Sequence, residues 1–237
     1  LFGGMNLYDA LVHTFGTVGT GGFSTYNASV ANFSSPYIQW VIIIFMTLCG
    51  INFNLYFVLI RHGVKRVLRD SELRLYLTII GCTALLLVVN LMASGTYRNL
   101  GDCIRDSAFQ VTSIITTTGY ATADYDIWPT FSKMLIFMLM LTGACSASTG
   151  GGVKIVRILV SLKLVRRGVS MKLHPNRIVT VTLNKNLVPQ EIATNIANFV
   201  FFYIFVLFSG ALVISLNGFD LMTTLSSVLT CLGNVGP

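Results

Sequence analysis

The chain has 237 residues, 54% of them hydrophobic and only 11% charged, far from the roughly 25% charged residues of soluble domains. This excludes an ordinary water-soluble fold and points to a membrane protein. The formal net charge is +7, and its placement along the chain says more than its size.

The first element runs from Asp9 through a short amphipathic stretch into a strip of Thr and Gly that ends Thr20-Gly21-Gly22-Phe23-Ser24-Thr25. An uncharged apolar segment follows at residues 36–60. It is one of four, with residues 75–97, 134–153 and 192–219, each long enough at about 20 residues to cross a bilayer as a helix. None resembles a cleaved signal peptide, because none opens the chain behind a basic stretch. After the first span come Arg61, Lys65, Arg66, Arg69 and Arg74, opposed only by Asp70 and Glu72.

A second strip follows the second span. Residues 106–115 read as a short helix, with Asp102 and Asp106 at its outer N-terminal end, where a carboxylate complements the helix dipole. The strip itself is Thr116-Thr117-Thr118-Gly119-Tyr120. The unpaired carbonyls at the end of the helix aim at the strip and favour a cation there. The third span carries Gly143-Ala144-Cys145-Ser146-Ala147-Ser148-Thr149-Gly150-Gly151-Gly152. Each glycine costs about 1 kcal/mol against Ala in a helix, so an interrupted helix with a flexible mid-membrane segment is expected. Close packing of small residues against a neighbour is the alternative.

A second basic loop holds Lys154, Arg157, Lys163, Arg166, Arg167, Lys172, Arg177 and Lys185 without an acidic residue. The opposite ends carry Asp9, Asp102, Asp106, Asp124, Asp126 and Asp220. By the positive-inside rule the basic loops are cytoplasmic and the strips face outward. The same rule accounts for the basic residues without a nucleic-acid partner. The third strip runs from Asp220 to Gly233-Asn234-Val235-Gly236-Pro237.

The order of elements is strip, span, basic loop, span, strip, span, basic loop, span, strip. A full unit is span, short helix, strip, span, and a repeat of this kind implies a symmetric assembly. The divisions fall at residues 1–69, 70–173 and 174–237, the middle unit alone being complete. A strip lying between two spans that start and end on the basic side must dip into the membrane and return. Non-helical backbone at that depth is tolerated only where it lines water or is buried in protein. The fold class is therefore an all-α membrane protein of membrane-helix, pore-loop, membrane-helix units around an ion pathway.

A dehydrated monovalent cation needs oxygen ligands, and rings of backbone carbonyls supply them. Glycine permits the φ > 0 and the close backbone approach that such a strip needs. The candidate ion-binding residues are Thr20, Gly21 and Gly22; Thr117, Thr118 and Gly119; and Asn234, Val235 and Gly236. Phe23 and Tyr120 are expected to pack behind the strips. In the first two copies glycine follows Asp by thirteen positions. That spacing from Asp220 favours Gly233 in the third, whereas the neighbouring Asn-Val-Gly-Pro favours Gly236.

Other chemistries find no support. Neither the first strip nor Gly150-Gly151-Gly152-Val153-Lys154 is a nucleotide loop, since no Gly-Lys-Ser/Thr occurs. Cys49, Cys82, Cys103, Cys145 and Cys231 lack any metal or redox spacing. His13, His62 and His174 read as surface or packing residues near span ends. No ionisable residue falls inside the four spans, which argues against an enzyme and leans against a proton relay. A membrane-embedded enzyme or assembly protein whose Gly strips only pack helices is the competing reading.

The motifs Thr20 to Thr25, Thr116 to Pro129, Thr142 to Lys154 and Gly233 to Pro237 resemble the Trk/Ktr/HKT superfamily of potassium transporters, most closely the bacterial TrkH/TrkG type. The resemblance implies four units around a pseudo-fourfold central pore and potassium uptake across the bacterial inner membrane by a multi-pass protein. K+ would be the transported ion, with no catalytically bound cofactor. This chain would then hold the second pore loop, the whole third repeat and the fourth up to its filter. Gly22, Gly119 and Gly236 would be filter glycines. Ser146, Ala147, Ser148, Thr149, Gly150, Gly151 and Gly152 would form an intramembrane gate loop. The resemblance also implies a homodimer docked through the basic loops on a cytosolic ring of nucleotide-binding (NAD/ATP) subunits. One Gly step per strip implies modest K+ over Na+ selectivity, and passive conduction or coupling to H+ or Na+ both stay open.

Overall fold

The computed structural model describes residues 1–174, 179–184 and 186–236; Arg177 and Lys185 of the second basic loop, and Pro237, lie outside the described residues. Ten α-helices and one short hairpin are seen among them. In chain order they are α1 (Leu7–Val18), α2 (Pro36–Cys49), α3 (Phe53–His62), α4 (Val64–Val67), α5 (Ser71–Ala93), α6 (Leu100–Ile115), α7 (Thr130–Thr142), α8 (Ile155–Leu173), β1 (Thr182–Leu183), β2 (Asn186–Leu187), α9 (Gln190–Ser215) and α10 (Leu221–Gly233).

Two of the four expected spans are single helices. The 23 residues of α5 and the 26 of α9 rise about 35 and 39 Å at 1.5 Å per residue, enough to cross a bilayer core of about 30 Å. Leu85 and Val89 on α5, and Phe201, Phe205 and Phe208 on α9, stay exposed, as lipid-facing side chains do.

The other two spans are broken. The segment at residues 36–60, expected as one span, divides into α2 and α3, bent by 85°. Gly50 N–H closes α2 on Met46 O at 3.0 Å, and the Asn52 side chain caps α3 by accepting from Asn54 N at 3.0 Å. The segment at 134–153 divides as its glycines imply. Its helix begins earlier, at Thr130, and stops at Gly143, whose φ of +70° ends α7. Irregular backbone continues to Lys154 before α8 begins.

The three short helices α1, α6 and α10 each start on a capping side chain. Asn6 accepts from Asp9 N at 2.7 Å, Asn99 from Gly101 N at 3.0 Å, and Asp220 from Met222 N and Thr223 N at 3.1 and 3.2 Å. Such caps satisfy N–H groups that the first turn leaves unpaired. Helix α6 is the hub. It packs against α2, α5 and α7, and Phe109, Gln110, Val111, Ile114 and Ile115 are wholly buried. The main core joins Val111, Ile114 and Ile115 to Tyr76, Leu87, Leu139, Leu207 and Leu229. A second core of Val30, Ile42, Met46, Phe109 and Tyr120 sits between α2 and α6. Burial on all sides fixes the depth of α6, and with it the strip that follows.

Candidate ion pathway

The C-terminal ends of α1, α6 and α10 converge. The strips beyond them line one cavity of about 360 Å³, bounded by Thr20, Gly21, Gly22, Phe23, Thr118, Gly119, Asn234, Val235 and Gly236. The structure thus brings together every sequence-predicted strip residue except Thr117. The side chain of Thr117 turns away and accepts from Gly151 N at 2.6 Å. The approach is close: a Cβ on Gly22 would lie 1.9 Å from Thr118 O.

The three strips share one backbone pattern. Positive φ falls on Thr20 and Gly22 (49° and 67°), on Thr117 and Gly119 (57° and 82°), and on Asn234 and Gly236 (56° and 103°). A chain that alternates hand in this way can aim consecutive carbonyls at one side, as a dehydrated cation requires. The pattern pairs Gly236 with Gly22 and Gly119, whereas Gly233 is the last residue of α10. It also corrects the reading of Asp220 as the counterpart of Asp9 and Asp106. Asp220 is an N-cap, and its equivalent is Asn6; each lies sixteen residues before its strip glycine. The hydroxyl and N–H of Thr223 hold the exposed Asp220 carboxyl below the usual carboxylate range.

Behind the strips stands a scaffold that the sequence reading largely missed. Tyr120 is wholly buried, and its Oη lies 3.2 Å from Phe23 O and 3.3 Å from His13 O, tying the second strip to the first. Ser113 Oγ donates to Tyr120 O at 2.6 Å. His13, expected near a span end, lies within α1, stacked on Tyr120 with ring centroids 5.6 Å apart and Nε2 3.0 Å from Ser24 Oγ. Thr25 Oγ1 donates to Asp9 at 2.6 Å and Thr122 Oγ1 to Asp106 at 3.4 Å. The equal Asp-to-Thr interval in both copies was the available signal. Phe23 does not pack behind its strip: it is 79% exposed, and it is Tyr120 whose hydroxyl meets the Phe23 carbonyl from behind.

The predicted gate residues, Ser146 to Gly152, lie in the irregular stretch between α7 and α8, directly against the strips. A Cβ on Gly150 would lie 2.7 Å from Thr116 O, and one on Gly151 2.3 Å from Gly233 O. Two ionisable residues hold this loop. Lys154 Nζ donates to Gly150 O, to Ser148 O at 3.2 Å and to Cys145 O at 3.4 Å. Glu72 accepts from Ser146 N at 2.5 Å and Ser146 Oγ at 2.8 Å. The sequence reading assigned both to cytoplasmic loops, because both fall just outside the apolar runs.

A protein-family model described as TrkH, cation transport protein, matches residues 3–237. The chain belongs to that family. Among curated relatives, the Trk system potassium uptake protein TrkH of Halomonas elongata is 35% identical over 235 residues, 99% of this chain and 48% of the relative. TrkH of Escherichia coli K12 is 33% identical over 237 residues, 100% of this chain and 49% of the relative. The crystal structure of the potassium transporter TrkH from Vibrio parahaemolyticus superposes with a TM-score of 0.93 at 30% identity, covering 100% of this chain and 51% of that one. The chain therefore spans about half the length of these TrkH relatives. Its helical membrane fold is the one expected from the sequence.

Proposed function

We propose that this TrkH-family chain supplies three walls of a potassium pathway across the bacterial inner membrane. The observation that carries this reading is the shared pair of positive-φ residues in three strips around one cavity. K+ is the cargo, held by backbone oxygens of Thr20, Gly21 and Gly22, of Thr118 and Gly119, and of Asn234, Val235 and Gly236. Thr117 belongs to this filter through its backbone, while its side chain braces the loop below. The three walls are unequal, and a fourth completes a pseudo-fourfold pore. Residues 1–69, 70–173 and 174–237 are successive parts of the repeat. The names of the relatives, potassium uptake proteins, support the choice of ion and a transporter in place of an enzyme.

Residues Ser146 to Gly152 are the gate, since Gly150 and Gly151 lie against the carbonyls that end the second and third short helices. The full-length protein acts as a homodimer. The basic face of α8, with Lys163, Arg166 and Lys172, docks a cytosolic nucleotide-binding ring. One glycine step per strip gives modest preference for K+ over Na+.

The test is K+ uptake by cells lacking their own importers, expressing the full-length protein beside its Gly119→Ala and Gly119→Ser variants. Growth at low K+ with wild type, and lost K+ preference in both variants, is the expected result. Variants that keep wild-type preference would sink the filter assignment.

A further inference from the structure

Irregular backbone at membrane depth must find hydrogen-bond partners within the protein. The second half of the gate loop finds them nearby, through Lys154 and Thr117. The first half depends on two distant elements. Glu72, the second residue of α5, takes both the N–H and the hydroxyl of Ser146. Asn52, the cap of α3, donates to Ser146 Oγ at 3.1 Å and to Glu72 Oε2 at 3.5 Å. On either side, Cys145 N donates to Gly50 O at 3.1 Å and Phe53 N to Ala147 O at 3.0 Å. Three consecutive loop residues are thus bonded to the bend between α2 and α3.

Glu72 is only 4% exposed, and among the described residues no cation lies within ion-pair distance of it. Burying a carboxyl without a counter-ion is costly unless hydrogen bonds satisfy it. Here those bonds all come from the loop and the bend. A buried ionisable group so placed in a membrane protein points to function.

We propose that Glu72 is the positioning residue of the gate loop, and that with Asn52 and Phe53 it latches the loop to the bend between α2 and α3. The inference rests on reading Ser146 to Gly152 as the gate. Moving the loop off the carbonyls of Thr116 and Gly233 then requires parting the Glu72–Ser146 and Phe53–Ala147 bonds. Helices α3 and α4, which carry Arg61, Lys65 and Arg66 on the side proposed as cytosolic, become the lever through which a cytosolic force reaches the loop.

The experiment is single-channel recording of the full-length protein in planar bilayers, with thermal unfolding as the folding control. Glu72→Gln keeps the shape of the side chain and removes the charge-assisted bonds. We expect open probability to rise about tenfold, with unitary conductance and the K+/Na+ reversal potential unchanged. Ser146→Ala leaves Glu72 its backbone partner and so perturbs folding least; a rise of about threefold is expected. The double variant should fall well short of the product of the two, since both remove one shared bond. A purely structural Glu72 would lower the unfolding temperature and leave open probability alone, and wild-type gating in folded Ser146→Ala would equally overturn the latch. Deleting Ala147 and Ser148 separates the two readings. If that deletion leaves open probability unchanged, the gate assignment fails and the latch with it. If it alters gating while Glu72→Gln and Ser146→Ala do not, the latch alone fails.

Discussion

The helices that follow the first and second strips break at corresponding points and in different ways. Helix α2 stops at Gly50 and resumes as α3 three residues later, turned by 85°. Helix α7 stops at Gly143, and α8 begins only at Ile155. The short break is closed largely by its own residues: Gly50 N–H bonds back into α2 and Asn52 caps α3, with Gly50 O and Phe53 N left to pair with the longer break. The long break is tethered from within by Lys154, and other polar groups in it are satisfied by Glu72 and Thr117 from distant elements. A break held by local caps is a fixed bend. A break held by side chains from elsewhere can exchange partners, and that is what a moving element needs. The two lie against each other, joined through Cys145, Ser146 and Ala147.

The contrast can be broken most directly at its two glycines. Gly143 has a φ of +70°, and a Cβ there would lie 2.4 Å from Gly151 O. Gly143→Ala should therefore cost about 3 kcal/mol through strain and backbone clash together, read as a lowered unfolding temperature with loss of uptake. Removing the loop's own tether comes next. Lys154→Met leaves the carbonyls of Ser148 and Gly150 short of a donor, at about 2 kcal/mol. Single-channel conductance or open time should change while the K+/Na+ reversal potential holds; a shifted reversal potential would count against the division between filter and gate.

Gly50→Ala is expected to be milder, about 1–2 kcal/mol. Its φ of −74° suits any residue, and the obstacles are side-chain atoms, the Tyr76 hydroxyl at 2.3 Å and Thr116 Cγ2 at 2.8 Å, where Gly143 meets backbone. Unfolding temperatures that rank Gly50→Ala below Gly143→Ala would refute the view of the first break as the more self-contained one. The smallest effect belongs to Tyr120→Phe, which removes the hydroxyl between the first two strips. The expected cost is about 1 kcal/mol, with a measurable fall in K+ over Na+ preference in a bi-ionic potential.

Much of this was legible in the residues. Gly150-Gly151-Gly152 announced the long break, because consecutive glycines have no place in an unbroken span. Thr20, Gly22, Thr118 and Gly119 stood out through their spacing from Asp9 and Asp106, and the cavity brings them together. The short break was hidden, because Gly50-Ile51-Asn52 sits in an apolar run where one glycine is unremarkable for a membrane helix. Glu72 and Lys154 were hidden for the opposite reason. Flanking charges are the usual mark of a span end, and nothing local separates a solvated charge from one turned inward.

The sequence by itself determined the membrane class, the apolar segments and the three strips, because hydropathy and turn chemistry are local and survive without knowledge of neighbours. The neighbouring Asn-Val-Gly-Pro already favoured Gly236 over Gly233, and the tertiary structure added the physical reason, since the register follows from where α10 ends and its backbone changes hand. The tertiary structure alone decided what holds the loop. Glu72 and Ser146 are 74 residues apart, and only the packing of α5 beside the bend and the loop turns a charge at a helix start into the buried partner of a backbone N–H.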